Sequence, residues 1–162
     1  MSETNELYSL LIPLRGERLL VPRMCVAEVI PFADTDTRNS DEGPDWLIGS
    51  IEWNGRRLPV VSFDSGADEE DSAAPRRGAR SRVVVFHAIS EGSKLRHYGL
   101  LTQGFPQLVR VNRDVITLDP DGDVPTNHPI LCRVRMIHEF PLIPDLETLE
   151  ARLGELSLDW LN

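Results

Sequence analysis

Residues 47–61 read Leu47-Ile-Gly49-Ser-Ile51-Glu-Trp53-Asn-Gly55-Arg-Arg57-Leu-Pro59-Val-Val61. Asn-Gly is the dipeptide that most readily takes positive φ at both centres of a tight turn, so Asn54-Gly55, set between Trp53 and Leu58, predicts an antiparallel hairpin. Gly16, between Leu14 and Leu19, gives the same signal nearer the start. Working outward, Tyr8–Leu14, Leu19–Val21, Leu58–Phe63, Arg82–Ile89 and Gln107–Val111 are strand-length runs rich in β-branched and aromatic residues. With 11 glycines and 12 prolines punctuating such short runs, the fold class is mainly β, a sandwich or barrel.

One helix is expected, at the end. Asp145 can cap it, Pro144 precedes the cap, and Leu146, Leu149, Leu153 and Leu156 recur at close to helical spacing. Its expected job is to cover an open barrel end or seam. Residues 64–82 hold no apolar side chain larger than alanine and read as a polar loop, as does the shorter stretch Thr35–Asp45. The chain also repeats weakly. Val26–Ile30 resembles Phe105–Val109, 79 positions on, and Leu58–Val61 resembles Phe140–Ile143, 82 positions on. The near-equal offsets suggest two related β lobes joined near residue 80. The expected layout is a tail at 1–6, a single domain at 7–155 and a tail at 156–162.

The 162 residues carry 17 Lys and Arg against 26 Asp and Glu, a formal net charge of −9. That balance argues against a nucleic-acid binder, which needs a basic surface to displace counterions. The longest apolar run, Val83–Phe86, is far short of the roughly 20 residues needed to span a bilayer, so no membrane insertion is expected. The opening MSETNELYSLLIPLRGE shows no basic n-region and no cleavage site. The expectation is a cytoplasmic protein in which Cys25 and Cys132 are reduced, buried thiols.

No motif for chemistry emerges. His87, His97, His128 and His138 lack metal-ligand spacing and read as surface or strand histidines. Asp119-Pro-Asp-Gly122-Asp123 puts glycine at position 4 and Ile130 at position 12 of a would-be calcium loop, so a turn accounts for it better. Ser50 lacks a nucleophile elbow, and phosphate-binding and dinucleotide loops are absent from the sequence. No catalytic residue, cofactor or metal is expected. Contact residues are another matter: Trp46 and Trp53 bracket an apolar step, and Arg56 and Arg57 follow the turn. Tryptophan and arginine join large area to directional bonding, which is why they dominate binding hot spots.

Taken in order, these pieces resemble the CheW-like domain, the adaptor module of bacterial chemosensory systems. Tyr8–Leu14 followed by Leu19–Pro22 is similar to the family's opening hairpin, and Val26-Ala-Glu28-Val-Ile30 to its Val-x-Glu-Ile step. Gly49 through Val61 is similar to its most specific stretch. Arg82–Phe86, Tyr98–Leu101 and Phe140–Leu146 follow its later strands and ending. The resemblance implies two intertwined five-strand SH3-like barrels with a short C-terminal helix. It further implies a non-catalytic adaptor that couples a histidine kinase regulatory domain to the cytoplasmic tip of a chemoreceptor. The residues it marks for contact, with the aromatic and basic cluster, are Glu28, Ile30, Trp46, Trp53, Asn54, Arg56 and Arg57.

Three positions depart from the family pattern. Glu52-Trp-Asn-Gly55 stands where Asn-Leu-Arg-Gly is usual, so the arginine thought to pair with Glu28 is missing and Arg56 or Arg57 is expected to replace it. Gln103 stands in place of an acid, and Cys132 in place of a glycine. These departures are similar to those of adaptors in pilus-type (twitching motility) systems. Two alternatives remain open at this stage: a ligand-binding or hydrolytic barrel with a pocket between lobes, and a decoy that binds one partner only.

Overall fold

A computed structural model describes residues 6–32, 35–37, 44–64 and 80–156. Most of the expected polar loop at 64–82, part of the Thr35–Asp45 stretch and nearly all of both tails lie outside the described residues.

The strands are β1 (Leu7–Pro13), β2 (Arg18–Pro22), β3 (Val26–Pro31), β4 (Asp36–Thr37), β5 (Leu47–Trp53), β6 (Arg56–Val61), β7 (Arg82–His87), β8 (His97–Thr102), β9 (Gln107–Val111), β10 (Thr117–Leu118), β11 (Ile130–Arg135) and β12 (Leu142–Pro144). A 3-10 turn at Arg23–Cys25 joins β2 to β3, and helix α1 spans Leu146–Glu155. The fold is mainly β, in two curled sheets. Sheet A runs β9-β1-β2-β12-β11-β10 and sheet B runs β3-β7-β8-β6-β5-β4, so each holds five strands plus a two-residue edge strand.

The weak sequence repeat has a structural counterpart, but the lobes are not its two halves. Halves β1–β6 and β7–β12 have matching order, yet each sends its first hairpin into the other's sheet. Hairpin β1–β2 lies between β9 and β12, and hairpin β7–β8 lies between β3 and β6. Even the parallel contacts match: β12 runs parallel to β2, and β6 to β8. The intertwining implied by the family resemblance is what the sheets show, and only the simpler reading of lobes joined near residue 80 is corrected. Residue 80 separates the repeats in sequence, while in space the lobes are interleaved. Neither half can close a sheet without the hairpin of the other.

Local chemistry explains the elements that were foreseen. Asn54 and Gly55 have φ of 50° and 74°, the two positive values a type I′ turn requires, and Trp53 pairs with Arg56 across it. Asp145 caps α1 by accepting from the Thr148 N–H at 3.1 Å, while its second oxygen accepts from the Thr148 hydroxyl at 2.7 Å.

Three apolar cores result. Ile51, Leu58, Val60, Val83, Val85 and Leu101 fill the inside of sheet B. Leu11, Leu20, Val111 and Val134 fill the inside of sheet A. The third lies between the sheets, where Ile12, Leu19, Val84, Phe86, Tyr98 and Leu142 meet Leu146, Leu149 and Leu153 of α1. The helix thus covers the seam. Inside sheet B the strands approach so closely at Gly99 that an added Cβ would lie 2.6 Å from Val83 Cγ1 and 3.3 Å from Val60 Cγ2. Both neighbours are β-branched and stiff. Gly99→Ala is expected to lower the unfolding free energy by about 1–3 kcal/mol in urea titration, the usual cost of overpacking a filled core.

Candidate functional site

One open end of the sheet B barrel gathers most of the residues singled out in the sequence. Glu28 lies on edge strand β3, just past a bulge that shifts its pairing to Val85. Trp53 ends β5 and packs on the apolar inside of the barrel, as does half-buried Ile30. The Trp53 indole N–H donates to Glu28 Oε2 at 2.5 Å, a contact that ties β3 to β5 across the mouth of the curled sheet. The partner expected for Glu28 was Arg56 or Arg57; the structure gives it Trp53 of the same turn. Arg56 sits opposite Trp53 in register, and its charge acts on nearby His97. Arg57 pairs with Glu52 on the other face of the strand, and its guanidinium donates to Ser50 Oγ at 3.0 Å. Asn54 is exposed at the turn.

Trp46 does not join them. It precedes β5, at the end of that strand away from Trp53, and packs against the core between the sheets.

Two residues of the mouth were missed in the sequence. The His97 ring packs on Trp53 at 4.7 Å between centroids, tilted by 52°. His87 Nδ1 lies 3.1 Å from His97 Nε2, with the rings 5.0 Å apart. Burial holds the His97 imidazole below its ordinary pKa, and the charges of His87, Arg56 and Arg96 add to the effect. These residues are ten apart in sequence and meet only through the register of β7 and β8.

A second concavity, of about 270 Å³, lies between the sheets, bordered by the β1–β2 turn, Phe63, Asp64 and the stretch from Pro125 to Ile130. Phe63 and His128 stack with centroids 5.2 Å apart and planes at 7°. Burial pushes the Asp64 carboxyl up; its hydrogen bonds from the Arg15 N–H (2.9 Å) and Gln103 Nε2 (3.0 Å) and the charges of Arg15 and His128 oppose that shift. Gln103 thereby finds a reason: an acid in its place would set a second carboxylate against Asp64.

The remaining expectations resolve simply. The Gly122 N–H donates to the Asp119 carbonyl at 3.3 Å, the turn expected at Asp119–Asp123. Cys25 and Cys132 are free thiols but half-buried, which corrects the expectation of full burial. Burial, with the nearby Glu150 carboxylate, pushes the Cys25 thiol up, away from reactivity. Cys132 packs against the core of sheet A. Among the described residues no group of three or more His, Cys, Asp or Glu is placed to hold a metal ion.

Comparison with solved structures finds the scaffolding protein TtCheW from Thermoanaerobacter tengcongensis, with a TM-score of 0.67 and 17% identity over 94% of this chain and 97% of that one. At that identity the likeness concerns the fold. Comparison with curated proteins finds no match. The family model of the CheW-like domain matches residues 9–150, nearly the whole of both interleaved lobes, and on that ground the chain belongs to the CheW-like domain family.

Proposed function

We propose that the protein is a non-catalytic adaptor that couples a histidine kinase to a chemoreceptor in the cytoplasm, in chemotaxis or pilus-driven motility. The observation that carries this reading is the family match across residues 9–150. Two surfaces support it. The mouth of sheet B presents Glu28, Ile30, Trp53, Asn54, Arg56 and Arg57 beside an open strand edge, a setting suited to another small β domain such as a kinase regulatory domain.

The second surface is the partly exposed apolar margin of the core between the sheets. Leu10 and Leu108 face each other across β1 and β9, and Val26 and Val29 of β3 lean on the inter-sheet core. Leu108 is 52% exposed, and Met24, in the 3-10 turn that leads into β3, 79% exposed. Exposed apolar side chains of this kind suit one face of an amphipathic helix, the form of a receptor tip. Trp46, half-buried, packs against the same inter-sheet core as Leu10, Val26 and Val29. No helix among the described residues is long and apolar enough to cross a membrane, and recruitment to membrane arrays would come through the receptor.

The test is calorimetric titration against the regulatory domain of a chemosensory histidine kinase from the same organism, and against a soluble receptor tip. Kinase binding at micromolar affinity or tighter, about 8 kcal/mol or more, is expected. Trp53→Ala should weaken it by about 2 kcal/mol, roughly thirtyfold, and leave receptor binding unchanged. Leu108→Glu should do the reverse. Binding of the kinase alone identifies a one-partner decoy, and binding of neither defeats the adaptor reading.

The cavity holding Asp64 and His128 favours a second reading, a small-ligand site between lobes. Against it, the Asp64 carboxylate is already taken up by Arg15 and Gln103. Native mass spectrometry of the purified chain decides the matter, since a retained small molecule would be seen as added mass.

A further inference from the structure

His87 ends β7, His97 begins β8, and the two are register partners. The next pair, Ala88 and Arg96, is hydrogen-bonded, with the Ala88 N–H donating to the Arg96 carbonyl at 2.8 Å. Pair types alternate along an antiparallel ladder, so His87 and His97 form the non-hydrogen-bonded kind, in which facing side chains lie closest. Their ring nitrogens, Nδ1 and Nε2, are 3.1 Å apart. Two nitrogens bound to one metal ion at about 2.0–2.1 Å, with an angle between roughly 90° and 110°, are separated by about 2.8–3.4 Å.

We propose that His87 and His97 form a two-imidazole site for a divalent transition-metal ion, Cu²⁺ ahead of the others, at the mouth of the sheet B barrel. Both rings bind as neutral imidazoles: the proton between them moves, through solvent, to the far nitrogen of the ring that carries it, and a small rotation of the rings turns the two freed lone pairs toward the ion. Water fills its other positions.

Trp53 forms one wall of the site and fixes the His97 ring against it. The Glu28 carboxylate on the indole N–H keeps negative charge nearby. Arg56 and Arg96 repel a cation. That repulsion restricts the site to ions with high intrinsic affinity for imidazole, and among divalent first-row ions Cu²⁺ stands highest.

The experiment is titration of the metal-free full chain with CuCl2 at neutral pH, followed by tryptophan fluorescence and electron paramagnetic resonance. One Cu²⁺ per chain is expected to bind in the micromolar range, quench emission and show hyperfine splitting from two imidazole nitrogens. His87→Ala and His97→Ala should each weaken binding at least tenfold, while His138→Ala leaves it unchanged. Trp53→Phe should keep the resonance spectrum and lose most of the quench. Circular dichroism checks folding of each variant; if His97→Ala does not fold, the exposed His87→Ala decides. Unchanged affinity in His87→Ala, or a spectrum of amine and amide nitrogens from the chain terminus, means an adventitious ion only and overturns the site.

Discussion

Glu150→Ala is expected to lower the unfolding free energy by about 3–5 kcal/mol, the largest loss from any single side chain considered. The carboxylate sits on α1 at 3% exposure. Its oxygens accept from the Ile89 N–H at 3.0 and 3.1 Å, the Ser90 N–H at 2.8 Å and the Tyr98 hydroxyl at 3.0 Å. Tyr98 is wholly buried, and burial together with Glu150 pushes its ionisation far above the accessible range, so its hydroxyl remains a donor at every working pH. Truncation at 150 leaves three donors facing a void, each costing about 1–3 kcal/mol once unsatisfied. Glu150→Gln preserves the shape but turns one amide N–H toward another donor, and a loss near half as large is expected. Tyr98→Phe removes one bond of the set and should cost about 1–2 kcal/mol. Urea unfolding followed by far-ultraviolet circular dichroism checks all three. A loss under 1 kcal/mol for Glu150→Ala would mean that the apolar face of α1 alone seats the helix on the seam.

The second large effect belongs to Arg133, whose side chain is only 13% exposed. Its guanidinium forks onto Glu17 at 2.9 and 3.0 Å, donates twice to the Asp123 carbonyl at 2.9 and 2.7 Å, and reaches the Phe140 carbonyl at 2.7 Å. Arg133 belongs to β11 and Glu17 to the β1–β2 turn, so the clamp fastens the exchanged hairpin into the sheet formed by the other half of the chain. The bonds to Glu17 hold the guanidinium pKa above its usual value. Arg133→Ala is expected to cost about 2–4 kcal/mol, since a bidentate, half-desolvated pair is broken and two carbonyls lose their donor. Arg133→Lys should recover less than half of that, because an ammonium cannot present five donors in one plane. Gly122→Ala attacks the same clamp indirectly. Its Cβ would fall 2.5 Å from Arg133 Cδ and 2.8 Å from Asp119 Oδ2. If Gly122→Ala and Arg133→Ala combine without additivity, both act through this guanidinium.

Features set by near neighbours were legible. Asn54-Gly55 specifies its own turn, and Asp145 with the leucines behind it specifies α1. Strand runs were placed within a residue or two at most ends. Glu28 and Trp53 were marked for contact by residue type and by position in the family pattern, and folding joins them. Their mutual bond was not foreseen, because the expected partner of Glu28 was a cation and the indole supplies a donor from the same turn. Trp46 had the same credentials and lies at the other end of β5, half-buried against the core between the sheets. Residue type does not tell which end of a strand faces a barrel mouth.

Composition and short-range pattern therefore determined a β-rich chain, its turns and its terminal helix, and the order of its motifs along the chain carried the family resemblance. Tertiary structure alone decided which strands the opening hairpin lies between, that Gln103 answers Asp64, and that two histidines face each other beside Trp53. The division has a physical cause. A turn or a helix cap is settled by energies between residues a few positions apart. Strand partnership is settled by apolar burial summed over whole sheets, and the nine residues linking β7 to β8, although they turn at Gly92, form a loop too long for turn type to fix the register.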